Sequence, residues 1–576
     1  MALFSLAQVK ARGIVRHASC KSSAPISQAA PLGLTIEQWS RTALECMLTF
    51  ELGLASASYT PSMNSTGWDE FEAEVSSANH AAQPELSAAS AGYLEGTLMA
   101  QRTSDFLYNI ASHFDFIVNG VINDVAVKDI IAWQQTQEAW VAIQVSEAAV
   151  FSVDDGTLWS TVGILYSQLA GLAAGLNDSG VDLYGFSAWR AAMMINTNAE
   201  WDDIMSAMVP SRRTQWKNLT MAQYAQKIVE NDHCSAFVAM GSYSAELFVG
   251  HNMWWGFQLL MPVFKTYVWG SNSTVQMSSF PGALSSIDDF YSLSSSHQQL
   301  VVMETTNNVF KDSLYDKLRP ETLWCWVRVM AANRMTTSGR DWVSTFKKYN
   351  SGTYNNMWLV VDYKRFVPYA SVVAGDGLLW VAEQMPGLVV ANDESERLSF
   401  GIFPSYNRAY FEETQIYSGA HENDLYWRET YNVTSQNYQG DNRAFLFREY
   451  GHLAQTTAGG QELLRWNKFS TDPVTVDNPD PFTQATPALN GALASRGDLN
   501  PSTEMAPGPM NSVATNAVLV SKALLERGEV LAVGGPTTDD QPPFKWSEAP
   551  EVIQDITHKG VPDSWNFDWV TFALPK

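Results

Sequence analysis

The sequence predicts an α+β fold, because a helix-rich first part is followed by a strand-rich second part. Residues 85–114 and 121–150 carry apolar side chains at the three- and four-residue spacing of amphipathic helices. From Cys234 onward, short runs such as "CSAFVAMG" and "MWLVVDY" are typical of strands. The 576 residues are 46% hydrophobic and 17% charged, which is the composition of a folded globular protein.

The first part begins with a leader and a hairpin. Residues 1–47 contain several basic residues and no acid before Glu37, which is closer to a transit peptide than to a secretory signal. We expect a leader there, and its type, a mitochondrial-like one included, stays open. The stretch "FELGLASASYTPSMNSTGWDEFEAEVS" has two strand-like runs around a Pro/Asn/Gly turn, which predicts a hairpin. Further on, "GILYSQLAGLAAGL" is too short to cross a membrane, so we expect a buried helix there.

The second part alternates strands with helices. Helices are predicted near residues 310–318 and 322–348. Strands are predicted at "CSAFVAMG", "AELFVGH", "QQLVVMETT", "MWLVVDY" and "GLLWVAEQMPG".

Charge and motifs exclude several classes of protein. The net charge of −24 leaves no basic surface for phosphates, so nucleic acid is not an expected partner. Near the pI of 4.7 this charge cancels, and we expect peripheral contact with anionic membranes at acidic pH. The sequence "HENDL" lacks the second His of a zinc helix, and "GFSAW" lacks the last Gly of a lipase elbow. We predict no metal and no cofactor.

Cys234 stands where a polar turn becomes an apolar strand. A hairpin from "CSAFVAMG" to "AELFVGH" would return His251 and Asn252 to the start of its first strand. A lone cysteine is more often a packing residue, since a free thiol behaves as a small apolar group. Cleavage between His233 and Cys234 would change this role. The new α-amine, with a reference pKa near 7.7 to 8.0, would accept the proton of a thiol whose reference pKa is about 8.5.

The chain resembles the phospholipase B-like family of cysteine N-terminal-nucleophile (Ntn) hydrolases, in a series of stretches that keep their order from about residue 50 to the end. These stretches are "NSTGWDEFEAEVS", "AASAGYLEGTL", "DHCSAFV", "SSFPGALSSIDDFY", "LVVMETTNN", "NSGTYNNMWLVVDY", "LLWVAEQMPG", "PSYNRAYFEE", "NRAFLFRE", "ASRGDLNP" and "PDSWNFDW".

The resemblance implies a four-layer αββα sandwich and a precursor that cuts itself between His233 and Cys234. The two products would be an N-terminal chain of residues 48–233, whose helices pack on the sandwich, and a catalytic chain of residues 234–576. Cys234 is then the nucleophile, and phospholipid acyl esters are the expected substrate. The resemblance also implies a lysosomal or secreted protein.

Further site residues follow from the matching stretches. By resemblance, Asn356 contributes to the oxyanion hole and Arg443 directs its guanidinium at the cysteine. His251 either hydrogen-bonds the active centre or caps the hairpin. The expected substrate pocket consists of Trp254, Thr305, Thr306 and Asn355.

Several alternatives remain open. A thioester intermediate also opens amides, so an amidase acting on N-acyl lipids or small peptides is one alternative. A lipid- or glycan-binding protein without activity is another. The sequence does not fix the oligomeric state, and a homodimer is one outcome. Sequons that permit glycosylation begin at Asn64, Asn177, Asn218, Asn272 and Asn432.

Overall fold

A computed structural model describes residues 54–270, 273–432, 437–476, 491–502 and 508–574. Helices and strands are mixed within these ranges, and the predicted α+β class is confirmed. The expected leader at residues 1–47 and the sequon at Asn272 lie outside the described residues.

The strands of the described residues are numbered in chain order. They are β1 (Ala55–Thr60), β2 (Asp69–Val75), β3 (Ile117–Val118), β4 (Val121–Ile122), β5 (Cys234–Met240), β6 (Leu247–Trp255), β7 (Val263–Trp269), β8 (Ser273–Ser279), β9 (Phe290–Ser294), β10 (Gln299–Thr306), β11 (Asn356–Asp362), β12 (Leu379–Met385), β13 (Leu388–Asp393), β14 (Ile402–Ser405), β15 (Val513–Ser521), β16 (Glu529–Gly534), β17 (Phe544–Lys545), β18 (Ser564–Trp565) and β19 (Val570–Ala573).

The α-helices of the described residues are numbered in the same way. They are α1 (Met63–Thr66), α2 (Ser77–Ala82), α3 (Pro84–Leu98), α4 (Ala100–His113), α5 (Asp124–Ser146), α6 (Val153–Ser179), α7 (Ala188–Thr197), α8 (Trp201–Met208), α9 (Met221–Asn231), α10 (Cys325–Met335), α11 (Gly339–Phe346), α12 (Glu412–Ser418), α13 (Ala420–Tyr431), α14 (Asn442–Tyr450), α15 (Thr457–Arg465), α16 (Pro473–Val476), α17 (Lys522–Glu526) and α18 (Glu551–Gln554).

Two large sheets organise the described part of the chain. One has nine strands in the spatial order β1-β2-β7-β8-β9-β10-β11-β12-β13, and the other has six in the order β14-β5-β6-β15-β16-β19. The predicted hairpin of β1 and β2 is confirmed, as are the five strands predicted after Cys234. β2 then pairs in parallel with β7, which joins the two parts of the chain in one sheet.

The sheets pack face to face, with helices outside them. Along β10, Val302 belongs to the apolar cluster shared with α3, α6 and α10, whereas Met303 belongs to the cluster shared with Val249 of β6. On the far side of the six-stranded sheet, Gly460 of α15 lies against Leu519 of β15. The layers therefore run helices, sheet, sheet, helices. Their identity with the sandwich of Ntn hydrolases stays a prediction.

The predicted buried helix is confirmed as part of α6, which packs closely on α3. Gly171 and Gly175 of α6 and Gly92 of α3 lie in the contact, and a Cβ added at Gly171 would stand 1.9 Å from the carbonyl oxygen of Ala89. Only glycine permits this approach, because any side chain would collide with the facing backbone. None of the helices in the described ranges is long and apolar enough to cross a membrane.

Some predicted helix boundaries are wrong. The helix expected over residues 85–114 is divided at Met99 into α3 and α4, and that expected over 322–348 is divided into α10 and α11. Ser338 causes the second break, because its side chain accepts from the backbone N–H of Asp341 and begins a new helix. The segment near residues 310–318 forms a 3₁₀ helix over Asp312–Lys317.

Candidate active site

The hairpin predicted around Cys234 is confirmed. Cys234 is the first residue of β5 and pairs with Met253 of β6, and Ala236 pairs with His251. Both strands are flanked in the sheet, β5 by β14 and β6 by β15. Because strand residues alternate between faces, Cys234, Ala236 and their partners share the face that meets the nine-stranded sheet.

The thiol of Cys234 is buried among acidic groups and an imidazole. Its Sγ lies 3.8 Å from Oδ2 of Asp289, which precedes β9, and this oxygen also accepts from the hydroxyl of Tyr354 at 2.7 Å. The ring of His251 bonds through Nε2 to the backbone carbonyl of Glu304 at 3.0 Å, linking β6 to β10. Nδ1 of His251 has no partner among the described residues.

Burial controls the protonation of this group. It raises the pKa of the Cys234 thiol well above its ordinary value, and the charges of Asp289 and Glu304 raise it further. Burial, and then Glu304, raises the pKa of Asp289, while burial raises the pKa of Glu304 to about 8. Burial lowers the pKa of His251 to about 3. Near pH 5 the thiol and the carboxyl of Glu304 are therefore protonated, and the imidazole is neutral.

The peptide bond before Cys234 is held from both sides. The carbonyl of His233 accepts a hydrogen bond from the backbone N–H of Trp254. The N–H of Cys234 donates to Oδ1 of Asn407 at 3.3 Å. Asn407 is fixed in turn, since its Nδ2 donates to the carbonyl of Thr306 at 2.9 Å. A hydrogen bond to the carbonyl polarises it toward nucleophilic attack, and the buried thiol belongs to the next residue.

Arg443 lies at the first turn of α14, and its guanidinium is buried beside the nucleophile. Its Nη1 donates to the backbone carbonyl of Cys234 at 2.7 Å, and its Nη2 donates to Asp232 at 2.9 Å. The guanidinium also stacks 4.7 Å from the ring centre of Trp254. The first of these bonds goes to the backbone of Cys234 and the second to the side chain of Asp232. A role of this guanidinium toward the thiol of Cys234 stays a prediction.

Asn356 and Asn355 differ in how their amides are used. Asn356 begins β11, pairs with Thr306 of β10 and is fully buried, yet neither end of its amide has a partner among the described residues. Burying an unpaired amide is costly, so we expect this amide to bind a group outside the described residues. Asn355 instead donates to the carbonyl of Gly352 at 2.8 Å. The oxyanion role of Asn356 stays a prediction.

The remaining predicted pocket residues make hydrogen bonds to other groups of the protein. The hydroxyl of Thr305 bonds that of Ser405 at 2.6 Å, which ties β10 to β14. The hydroxyl of Thr306 lies 3.5 Å from Nδ1 of His233. The indole N–H of Trp254 donates to Asn252 at 2.8 Å, so this side chain forms a wall beneath Arg443. Their contact with substrate stays a prediction.

Cys234, His251 and Asp289 could together hold a metal ion. Each offers one ligand atom, and these three atoms lie within 4.8 Å of one another. A thiolate, an imidazole and a carboxylate are ligands that zinc accepts. The sequence did not reveal this grouping, because the three residues come from different strands and a loop.

Sequence reasoning missed Asn407, Asp289, Tyr354 and Arg408. The first three contact the nucleophile or its carboxyl neighbour, and the fourth binds the residue before His233. Each lies within one of the stretches that carry the family resemblance, so the resemblance was the signal that could have identified these residues. Asn407 also has a φ of 64°, in the left-handed region that few residues other than glycine and asparagine adopt.

The described sequons are accessible. Asn64, Asn177, Asn218 and Asn432 are all exposed in the structure. They therefore remain candidates for glycosylation.

Known proteins resemble this chain over most of its length. The family model described as Phospholipase B matches residues 55–572. Phospholipase B-like protein D of Dictyostelium discoideum is 30% identical over 496 residues, which are 84% of this chain and 81% of that protein. Phospholipase-B 81 of Drysdalia coronoides is 30% identical over 533 residues, 90% of this chain and 88% of that protein. Human Phospholipase B-like 1 is 27% identical over 535 residues, with 90% and 87% covered. The chain thus belongs to the phospholipase B family.

Proposed function

We propose that this protein is a phospholipase B-like hydrolase that cleaves acyl esters of phospholipids with Cys234 as an N-terminal nucleophile. The observation that carries the proposal is the peptide bond before Cys234, whose carbonyl accepts from the Trp254 N–H beside a buried thiol. The names of the relatives, which include Phospholipase B of Crotalus adamanteus, support the substrate class.

Maturation is proposed as an acyl shift followed by hydrolysis. Sγ of Cys234 bonds to the carbonyl carbon of His233, and negative charge develops on the oxygen that faces the Trp254 N–H. The C–N bond then breaks, the thiol proton ends on the departing nitrogen, and a thioester joins the two residues. Water opens the thioester, giving a carboxylate on His233 and a free amine and thiol on Cys234.

The mature reaction uses the new amine. It accepts the proton of the Cys234 thiol, and Sγ bonds to the acyl carbon of the ester. The alcohol leaves with a proton, and water then opens the acyl-thioester to release a fatty acid. Oδ1 of Asn407 already accepts from the nitrogen of Cys234, so it is placed to orient the amine after cleavage.

Shared secondary structure would hold the two products together. β1 and β2 belong to the proposed chain of residues 48–233, whereas β7 belongs to that of 234–576. β2 and β7 pair along seven residue positions, from Asp69 with Val263 to Val75 with Trp269. We therefore expect cleavage to yield one associated molecule and not two separate domains.

N-terminal sequencing of the purified protein tests the cleavage. We expect one fragment to begin with Cys234 and to remain bound to the other fragment during gel filtration. The same preparation should release fatty acid from phosphatidylcholine micelles. An unbroken chain that is nevertheless fully active would contradict the proposed maturation.

The unpartnered amide of Asn356 leads to a kinetic prediction. If it donates to the oxyanion, Asn356→Ala in the cleaved enzyme should lower kcat by about 10²- to 10³-fold with little change in KM. Asn350→Ala is the control, because Asn350 lies outside the predicted pocket and its amide donates to the backbone carbonyl of Met385. Equal losses of kcat in the two variants would assign Asn356 a structural role.

A further inference from the structure

Asp232 occupies a buried site built from two arginines. Its side chain is fully buried, with Oδ1 2.8 Å from Nη1 of Arg408 and Oδ2 2.9 Å from Nη2 of Arg443. The arginines come from different elements, the loop after β14 and the first turn of α14. Each carboxylate oxygen is thus bound by a separate guanidinium.

The arginines are held in place by groups other than Asp232. Arg408 also pairs with Asp441 at 2.8 Å and donates to the carbonyl of Asn407 at 2.9 Å. Arg443 donates to the carbonyls of Cys234 and Tyr406, both at 2.7 Å. Removal of Asp232 would therefore leave the site largely formed, and it would still adjoin the nucleophile.

Cleavage after His233 frees the segment that carries Asp232. This inference rests on the proposed function, because it requires that cut. Helix α9 ends at Asn231, so only Asp232 and His233 lie between the helix and the new C-terminus. Opening of the site requires these two residues to move outward, which separates the His233 ring from Trp255, on which it stacks, while α9 stays anchored by Tyr224 and Ile228 in its apolar cluster.

The loss of Asp232 leaves the site short of negative charge. Among the ion pairs of the described residues, Arg408 and Arg443 then keep only those with Asp441, and an unbalanced buried cation is costly. Nε of Arg408 is also buried and has no partner among the described residues. Asp424 lines the cavity beside Arg408, but it already has a partner. An incoming anion with more oxygens than a carboxylate would satisfy both the charge and the free donor.

We infer that Arg408 and Arg443 form a binding site for a phosphate mono- or diester, which Asp232 fills in the uncut chain. Guanidinium N–H groups donate to phosphate oxygens as they do to carboxylate oxygens, so one anion can replace the other. Because Arg443 also binds the carbonyl of Cys234, a phosphate held here lies beside the nucleophile. A lipid head group bound in this way would position its ester for attack.

Binding to the uncut chain tests the site without any activity. We expect Cys234→Ala to bind inorganic phosphate weakly, and Cys234→Ala/Asp232→Gly to bind it at least about tenfold more tightly by calorimetry at pH 5. Adding Arg408→Gln should abolish that gain, while Arg408→Lys should restore part of it. Equal phosphate affinity with and without Asp232, in variants that melt cooperatively, would overturn the site.

Two further comparisons separate the sources of phosphate and the two proposals. Glycerophosphocholine binding alongside inorganic phosphate would indicate a lipid head group, whereas binding of inorganic phosphate alone would indicate a free-phosphate site.

In the cleaved enzyme, Arg408→Gln should lower the ratio of kcat/KM for a phospholipid to that for a neutral monoacylglycerol by at least about tenfold. An unchanged ratio contradicts head-group binding. Absence of all ester hydrolysis with phosphate binding intact would reject the proposed function alone.

Discussion

Cys234→Ala is expected to give a single unbroken chain near 63.8 kDa with no hydrolase activity. In the proposed maturation, alanine removes the sulfur that attacks the carbonyl of His233, so neither the thioester nor the free α-amine can form. The fold should survive, because the change removes one buried atom and adds no polar group. Denaturing electrophoresis and fatty-acid release measure the two losses.

Cys325→Ala is the matched control for this variant. Cys325 is also buried and unpaired with another cysteine, but it lies at the start of α10, where it packs in the helix layer. We expect this variant to cleave and to retain activity. Cys234→Ser provides a second comparison, since its hydroxyl can still attack, but more slowly than the thiol. If Cys234→Ala were cut at the same bond, an external protease would be responsible and self-cleavage would be wrong.

Local sequence patterns predicted the elements but not their association into sheets. The alternation in "CSAFVAMG" and "AELFVGH" predicted that His251 and Asn252 return to the start of the first strand, and His251 indeed lies opposite Ala236. No local pattern indicates that β6 pairs with β15, whose residues lie more than 250 positions further on. The break at Ser338 was also visible as a capping residue, but the apolar spacing on both sides concealed it.

Some contacts of the candidate active site likewise follow from local sequence, and others do not. Cys234 and Trp254 lie in one hairpin, so their proximity follows from the sequence. Asn407 reaches Cys234 only because β14 adds to the edge of β5, a contact across 173 positions. Asp289 approaches from the opposite sheet. These contacts depend on the packing of two sheets, and a single sequence contains no spacing rule for such packing.

We expect the uncut Cys234→Ala chain to be more stable at pH 5 than at pH 8, because it buries several carboxyls whose pKa values are raised. Burial raises the pKa of Glu200 and Glu304 to about 8 and that of Asp203, Asp288 and Glu383 to about 7. In the unfolded chain these groups titrate near pH 4. At these carboxyls the folded state therefore binds more protons between pH 4 and pH 8, and their contribution to stability falls as the pH rises.

Glu200 allows this dependence to be assigned to one residue. Its Oε1 accepts from the N–H of Cys325 at 3.0 Å, and its Oε2 bonds the hydroxyl of Thr353. A glutamine has the shape and charge of the protonated acid and can donate to the Thr353 hydroxyl. Glu200→Gln should therefore match the parent at pH 5 and exceed it at pH 8 by on the order of a few kcal/mol.

Thermal unfolding of the uncut chain across pH 5 to 8 measures the effect without interference from cleavage. The exposed Glu412 at the start of α12 provides the control, and Glu412→Gln should follow the parent at every pH. If Glu200→Gln and the parent lose the same number of degrees between pH 5 and pH 8, Glu200 is already ionised in the folded chain. A smaller loss in Glu200→Gln than in the parent would mean that the buried carboxyl of Glu200 makes the parent chain more stable at acidic pH. At such a pH the buried carboxyls are neutral and the net negative charge of the chain is partly cancelled.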